Sequence, residues 1–391
     1  MVTEDEKSIY TFSFGLVCLS SFLFSASFNM LIPELPAYLA AMGGAEYKGL
    51  IIALFTLTAG ISRPFSGKLT DTIGRVPVMA VGSLVCFVCG FLYPVLTSVA
   101  GFLFLRLFHG FSTGFKPTAT SAYVADLVPS GKWGEAMGVH GVCFSTGLAI
   151  GPAIGSAITA HFSINYLFYA SSLFALLSIL ILANMKETLP NRQKFDISHL
   201  KLRAKDIVEW RVLPASLITL WSYMSYGAIL TVIADWSQHL GTGNKGLFFM
   251  VFTLASLLIR FIAGKVSDQY GRVVILKISL ALLMVSLMGI ALAGSSFTLM
   301  LSSALYGVAT GMLSPAVSAW TIDLSRPKHR GKAVATMYIF LEAGIGLGAL
   351  LAGSIFLTDV NTIPMIFYIC TGITLLAWGY LQFIYRRPKA V

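Results

Sequence analysis

The sequence predicts an all-α membrane protein with twelve transmembrane helices in two pseudo-symmetric six-helix bundles. Its composition is the first reason, because 56% of the 391 residues are hydrophobic and only 11% are charged, whereas soluble domains carry about 25% charged residues. The second reason is that long stretches contain no Asp, Glu, Lys or Arg. The third is a polar phrase that occurs twice, as GKLTDTIGRVPVM from Gly67 and GKVSDQYGRVVIL from Gly264, 197 residues apart.

The uncharged stretches set the number of helices. They are 8–33, 76–105, 136–185, 278–322 and 360–385. A helix needs about 20 apolar residues to cross a bilayer, so the third and fourth stretches each hold two helices. The runs lack the alternation of a β-barrel, which leaves helices as the spanning structure. The predicted helices are 10–41, 49–69, 77–97, 99–127, 134–160, 163–185, 213–240, 246–265, 273–294, 296–324, 331–357 and 361–385.

The positions of the basic residues predict the orientation of the chain. The net charge is +10, and most Lys and Arg fall on one face if both termini are cytosolic. The positive charge is therefore interpreted as a sign of membrane topology. Its predicted partner is the membrane-lipid surface, and no nucleic acid is expected to bind. The polar stretch 186–212 is predicted to be a cytosolic linker between an N-terminal bundle, 1–185, and a C-terminal bundle, 213–391.

The repeated phrase belongs to a longer repeat in a single register. The matching positions are the KGL triplets at 48–50 and 245–247, Arg63 and Arg260, Asp126 and Asp323, and Gly147 with Gly151 against Gly344 with Gly348. The chain is therefore predicted to contain two copies of a six-helix unit. Parallel halves of this kind are typical of transporters that hold a substrate between the halves near the membrane midplane.

Three motifs lie at particular helices of this repeat. A glycine-rich loop after the second predicted helix has Gly67, Leu69, Asp71, Gly74 and Arg75, with Thr72 and Val76 between and after them. The fourth predicted helix has Arg106, His109 and Gly110, and the fifth has Gly147, Gly151, Pro152, Gly155 and Ser156.

These motifs resemble those of the major facilitator superfamily, and more narrowly its twelve-helix drug:proton antiporters. The family patterns are G-x-L-x-D-R-x-G-R-K, R-x-x-Q-G and G-x-x-x-G-P-x-x-G-G. This chain departs from them where Thr72 and Val76 replace basic residues, where His109 replaces Gln, and where Ser156 replaces the last Gly.

The duplicated loop predicts a gate. Asp71 and Asp268 are placed where a carboxylate faces the positive end of a neighbouring helix. Their neighbours Arg75 and Arg272 are expected to reach Asp126 and Asp323, and the whole cluster would latch the cytosolic side shut. The alternative is that these residues only fix the loop shape and the orientation of the chain.

The glycine motif of the fifth predicted helix, Gly147, Gly151, Pro152 and Gly155, predicts a close, bent helix crossing. The resemblance implies that this crossing governs the conformational state of an exporter.

Charged residues inside the spans are costly and each requires a reason. By resemblance, Arg106 takes part in proton coupling; otherwise it ties backbone carbonyls together. Arg63 and Arg260 are symmetric and are interpreted as structural. Three charged residues remain. Lys116 and Glu342 have no charged counterpart in the repeat, and Glu34 lies between two prolines. Glu34 and Glu342 are candidates to carry a proton, and Lys116 to bind an acidic substrate group. A buried Lys116–Glu342 ion pair is the competing interpretation.

Polar and aromatic residues on the first, fourth, seventh and tenth predicted helices would line the cavity in this architecture. The candidates are Asn29, Tyr123, Trp221, Tyr226 and Trp320. His140 is a further candidate for proton relay, with an ordinary buried imidazole as the alternative. No pattern predicts a catalytic centre, a cofactor or a metal site, and no phosphate-binding loop is present.

The sequence thus predicts a monomeric, multi-pass transporter of the inner (plasma) membrane. It would export a small organic molecule, acidic or zwitterionic, in exchange for protons. The alternatives within the same superfamily are a proton-coupled importer and a sugar or metabolite facilitator. A membrane enzyme or a non-transporting receptor is the alternative of another class.

Overall fold

A computed structural model gives the structure of the chain over residues 9–128, 133–201, 208–325, 330–356 and 359–384. Side chains are described in these ranges except at 133–135, 198, 261–269, 330–331 and 384. Across the described residues the chain is helical and contains no strand. The prediction of an all-α protein is therefore confirmed.

The described residues form thirteen α-helices. They are α1 (Phe12–Asn29), α2 (Leu35–Ala41), α3 (Lys48–Thr72), α4 (Arg75–Leu92), α5 (Val99–Leu127), α6 (Trp133–His161), α7 (Ile164–Ala183), α8 (Leu213–His239), α9 (Leu247–Tyr270), α10 (Arg272–Ala291), α11 (Ser296–Leu324), α12 (Arg330–Phe356) and α13 (Ile363–Ile384). All but α2 have at least 18 residues, which confirms twelve long helices. Counted over the described residues, ten candidate spans are long and apolar enough to cross a membrane.

The first predicted helix, 10–41, is interrupted in the structure. The helical segment α1 ends at Asn29, and α2 begins at Leu35 after a run of turns. Pro33 lies in the interruption, and a proline removes one helical hydrogen bond and crowds the preceding turn. The break places Glu34 directly before α2.

The helix boundaries reproduce the register of the sequence repeat. The helices α5 and α11 begin at Val99 and Ser296 and end at Leu127 and Leu324, 197 residues apart at both ends. Ser98 and Ser295 cap their N-termini through side-chain oxygens. Gly74 and Gly271 precede α4 and α10 with φ of 132° and 89°, a backbone conformation that favours glycine.

The chain forms two compact units. One contains residues up to Tyr38 together with Leu57–Arg203, and the other contains Leu39–Thr56 together with the chain from Ala204 onward. In the first unit α1 packs on α6 and α7, and α4 packs on α5 and α7. In the second unit α8 packs on α12, α9 on α11, and α10 on α11 and α13. The predicted linker at 186–212 and the predicted cytosolic termini stay predictions.

Candidate functional site

The loop between α3 and α4 holds a cluster of charged side chains. The Arg75 Nε donates a hydrogen bond to Asp126 Oδ2 at 3.1 Å, and its NH1 group donates to Asp71 Oδ1 at 3.2 Å and to the Thr70 carbonyl at 2.6 Å. Asp126 lies at the end of α5, so Arg75 ties this loop to that helix end. The Asp71 side chain is 74% exposed. The contact between Arg75 and Asp126 is as expected, and its role as a latch stays a prediction.

The second copy of the loop has the matching ion pair. The Arg272 Nε donates to Asp323 Oδ2 at 3.3 Å at the end of α11. Asp268 lies in α9, and its side chain is outside the described part of the structure. The Arg–Asp tie therefore occurs in both units at repeat-related positions.

Sequence reasoning missed Glu187, which lies just after α7. Its carboxylate accepts hydrogen bonds at 3.0 Å from the backbone N–H groups of Arg75 and Val76. These are the first N–H groups of α4, where a carboxylate satisfies unpaired donors and opposes the positive helix end. The next residue, Thr188, donates through its hydroxyl to Asp126 at 2.6 Å. No repeat signal marks Glu187, because position 384 is Ile.

The glycines of α6 lie directly against the backbone of α1. A Cβ added at Gly147 would stand 2.6 Å from the Phe22 carbonyl oxygen and 2.8 Å from the Ala26 nitrogen, and one at Gly151 would stand 3.0 Å from the Ala26 oxygen. A Cβ at Gly155 would meet the Met30 carbonyl. With Pro152 inside α6, these residues form a close α1–α6 seam. The second unit repeats it, with Gly344 and Gly348 of α12 against Leu220 and Met224 of α8.

Glu34 lies at the end of this α1–α6 seam. Its side chain accepts a hydrogen bond from Ser156 Oγ at 2.8 Å, and the residue is 5% exposed. Ser156 is the residue that replaces the last glycine of the family motif. The hydroxyl therefore supplies a donor to a buried carboxylate where a glycine could not.

Arg106 and His109 of α5 belong to a buried polar row. The NH1 group of Arg106 donates to Tyr93 Oη at 3.3 Å, and Tyr93 Oη lies 3.1 Å from His109 Nδ1. The His109 Nε2 lies 3.0 Å from Cys86 Sγ. An arginine only donates, so the Tyr93 oxygen accepts from Arg106, and both nitrogens of His109 lie within hydrogen-bond distance of a polar group. The His in place of the family's Gln is therefore accommodated between a phenol and a thiol.

Lys116 lies inside the first unit between α1, α4, α5 and α7. The residue is 1% exposed, and its Nζ donates to oxygens of Ser20, Ser83 and Ser178. Its predicted role as a substrate ligand stays a prediction, and it requires Nζ to leave these oxygens. His140 of α6 contacts α1, since its Nε2 lies 2.9 Å from Ser21 Oγ.

The remaining predicted site residues lie within their own units. In the first unit Asn29 donates to the Ser25 carbonyl at 2.8 Å, and Tyr123 Oη donates to the Lys186 carbonyl at 2.9 Å. In the second unit Glu342 is 7% and Trp320 6% exposed. Trp221 packs edge-on against Tyr380, and Tyr226 packs edge-on against Tyr223. Their grouping around one cavity stays a prediction.

A further ion pair in the second unit has no sequence signal. Lys48, at the start of α3, donates through Nζ to Asp235 Oδ1 at 3.1 Å and Oδ2 at 3.3 Å. The same ammonium lies 4.5 Å from the centroid of the Phe356 ring. The repeat could not indicate this pair, because the counterpart of Asp235 is Tyr38.

Two groups of similar proteins match most of the chain. The multidrug resistance protein MdtG of Salmonella paratyphi C is 27% identical over 393 aligned residues, covering 95% of each chain. The multi-drug resistance efflux pump PmrA of Streptococcus pneumoniae is 28% identical over 346 residues, covering 85% of this chain and 86% of the pump.

Solved structures of transporters share the fold. A D-xylose-proton symporter superposes with a TM-score of 0.78 at 16% identity, covering 95% of this chain and 97% of the symporter. The human organic anion transporter MFSD10 gives a TM-score of 0.73 at 21% identity, covering 94% and 98%.

The candidate spans and the relatives identify a multi-pass protein of the inner membrane. The sequence model of the Major Facilitator Superfamily matches residues 17–215 and again 215–391. The chain therefore belongs to the Major Facilitator Superfamily and is a membrane transporter rather than an enzyme.

Proposed function

We propose that the chain exports a small organic molecule in exchange for protons by alternating access. It would work as a monomer surrounded by membrane lipid, with both termini in the cytosol. The names of MdtG and PmrA support export, because both are multidrug resistance proteins of nearly full-length similarity.

The observation that carries the proton-coupled form of this proposal is the buried carboxylate Glu34. A carboxylate at 5% exposure beside a hydroxyl donor is a group whose charge is expensive to keep away from water. Such a group inside a span is a candidate to take up a proton on one side and release it on the other. Its position at the end of the α1–α6 seam would link that event to the packing of two helices.

Arg106 and Glu342 complete the proposed coupling residues. Arg106 donates a hydrogen bond to Tyr93, which in turn contacts His109. A rearrangement of these hydrogen bonds would therefore alter the packing of α5. Glu342 is buried on α12 without a carboxylate at the repeat-related position, which is Ser145. The charge clusters of the two loops would act as the gate, and the two glycine seams would act as the surfaces that slide during exchange.

Transport in proteoliposomes tests the proposal. A panel of fluorescent probes, comprising cationic ethidium, zwitterionic rhodamine B and anionic carboxyfluorescein, would be offered at equal pH and under an imposed pH gradient. Export coupled to protons predicts that at least one probe accumulates against its gradient only when the proton gradient points the opposite way. Glu34→Gln should abolish that accumulation, while probe exchange between equal pools persists.

The matched control is Glu46→Gln, the same change at an exposed carboxylate. It should accumulate the probe as the unaltered protein does. Accumulation in the same direction as the proton gradient would identify an importer, and transport that ignores the gradient would identify a facilitator. Absence of transport for every substrate tried, in a folded protein, would favour a receptor.

A further inference from the structure

The oxygen cage around Lys116 consists of Ser20, Ser83 and Ser178. The Nζ atom donates to the Ser20 carbonyl at 3.1 Å, to Ser20 Oγ at 2.8 Å, to Ser83 Oγ at 2.9 Å and to Ser178 Oγ. The ring of Phe24 lies with its centroid 4.9 Å from Nζ. The cage therefore joins α1, α4 and α7 to a single amino group on α5.

Two hydroxyl groups of this cage have carbonyl acceptors of their own. Ser178 Oγ donates to the Ser20 carbonyl at 2.9 Å, and Ser20 Oγ donates to the Ser178 carbonyl at 3.2 Å. The hydroxyl hydrogens of Ser20 and Ser178 are thus used between α1 and α7, which leaves lone pairs of these two oxygens for Nζ, and the Ser83 hydroxyl of α4 lies 3.3 Å from Ser178 Oγ. An ammonium has three N–H donors for these four oxygen contacts, so that two of the oxygens share one N–H, whereas a neutral amine has only two N–H donors and would leave its lone pair facing oxygens.

No carboxylate forms an ion pair with Lys116 among the residues that the structure describes. The titratable groups that interact electrostatically with Lys116 are the Cys86 thiol of α4 and His140 of α6. Neither of these is an anion in its ordinary state. Burying an ammonium without a counter-ion is energetically unfavourable, and hydroxyl and carbonyl oxygens offset only part of that cost.

Packing does not require a lysine at this position. One heptad along, Ser27 and Ser171 exchange hydroxyl-to-carbonyl bonds at 2.8 Å in the same way, with no lysine between them. In the second unit the counterparts of Ser83 and Lys116 are Leu280 and Leu313, which are 0% and 1% exposed. The second unit fills the corresponding positions with leucine, so packing of this fold does not require a lysine there. Lys116 is therefore expected to have a role that only the first unit needs.

We propose that Lys116 is a proton-carrying residue of the transporter, and that the serine cage is the site where its charged form is held. This inference rests on the proton-coupled transport proposed above. In the state described here the cage binds –NH3⁺. When α1 moves relative to α7, the reciprocal Ser20–Ser178 bonds break and the hydroxyls rotate, so that they donate to the amine instead of accepting from it.

The chemical step is a simple deprotonation. Lys116 –NH3⁺ becomes –NH2 as the N–H bond breaks, the electron pair stays on nitrogen, and the proton passes to water on the side to which the unit is open. Uptake of a proton from the opposite side restores the ammonium and the cage. One proton would be moved for each cycle of the α1–α7 contact.

The test compares Lys116→Arg with Lys116→Leu in proteoliposomes. Arginine keeps a permanent positive charge, and leucine is the residue at the repeat-related position. The probe is whichever of ethidium, rhodamine B and carboxyfluorescein the unaltered protein accumulates under a pH gradient. Both variants should lose accumulation at least tenfold, to a ratio near one, while exchange of the same probe at equal pH continues. Leu313→Met, a volume-conserving change in the second unit, is the control and should accumulate normally.

Several outcomes would overturn the inference. Accumulation by Lys116→Arg at the level of the unaltered protein would make the lysine a fixed charge. Loss of carboxyfluorescein exchange in Lys116→Leu but not in Lys116→Arg, with cationic ethidium still exchanged by both variants, would make the lysine a substrate ligand, as the sequence predicted. If the unaltered protein ignores the pH gradient, proton coupling itself fails and this inference fails with it. If only Lys116→Leu is misfolded, Lys116→Arg still decides the question.

Discussion

Replacing Gly147 with alanine tests the α1–α6 seam, because the new methyl group has no space. Its Cβ would stand 2.6 Å from the Phe22 carbonyl oxygen and 2.8 Å from Ser25 Cβ, whereas ordinary contacts begin at 3.4 Å. The two helices would have to separate by about 0.8 Å at this point. Overpacking of this kind typically costs 1–3 kcal/mol, and the better helix propensity of alanine returns at most about 1 kcal/mol.

The expected net loss for Gly147→Ala is therefore roughly 1–2 kcal/mol. For a unit of this size, that corresponds to a fall in melting temperature of about 2–8 °C. The measurement is thermal unfolding of the purified protein in detergent, followed by tryptophan fluorescence, together with probe exchange in proteoliposomes. Exchange should fall as well, since a wider seam removes one of the two surfaces that slide.

Gly141→Ala on the same helix is the matched control. A Cβ at Gly141 meets nothing within 4 Å, so alanine there should be neutral or stabilising by up to about 1 kcal/mol. Equal melting temperatures for the two variants would refute the close packing of α1 on α6. Gly344→Ala, whose Cβ would stand 3.0 Å from Leu220 Cα, should repeat the Gly147 result in the second unit.

Three further predictions concern the charged contacts. Asp71→Asn should change the melting temperature by less than about 2 °C, because the side chain is 74% exposed, yet it should slow conformational exchange measured by fluorescence if the loop is a latch. Glu187→Gln should lower the stability of the first unit by about 1–2 kcal/mol, because a neutral amide is a weaker partner for the α4 N-terminus. Asp235→Asn should cost about 1–3 kcal/mol, because the Lys48 ammonium, 7% exposed, loses its counter-ion.

Each of these predictions has its own control. For Asp71, equal loss of probe binding and exchange would indicate misfolding and contradict the latch. For Glu187, the exposed Glu46→Gln supplies the background effect, and an equal change in both variants would rule out the helix-terminal role. For Lys48 and Asp235, a double-mutant cycle with Lys48→Met isolates the pair energy, and additive single effects would contradict the ion pair.

Hydropathy and the repeat were sufficient to predict the helices. Helices α5 and α11 keep their predicted bounds, 99–127 and 296–324, because serine caps and charged ends mark both. The repeat also indicated the Arg75–Asp126 and Arg272–Asp323 contacts, since the same residues recur in the same places. The prediction of one continuous helix over 10–41 was wrong, because the chain leaves the helix between Asn29 and Leu35, around Pro33.

Contacts without a repeated partner could not be predicted. Glu187, the Lys48–Asp235 pair and the cage of Ser20, Ser83 and Ser178 depend on which helix faces which, and a single sequence does not give that order. One signal was available, because Ser20 and Ser27, and likewise Ser171 and Ser178, are seven residues apart and share a helix face. Buried serines on two helices indicate a polar core layer, and such a layer is a natural location for the Lys116 ammonium.

Proton movement driven by substrate alone tests the central claim most directly. Liposomes would contain the protein and the pH dye pyranine, with equal pH inside and outside. The probe that the unaltered protein accumulates under a pH gradient would then be added outside. Inward movement of the probe must drive protons out if the two are exchanged, so the lumen should become alkaline, and Glu34→Gln should abolish the signal. Acidification of the lumen would identify cotransport, and probe entry without any pH change would contradict proton coupling altogether.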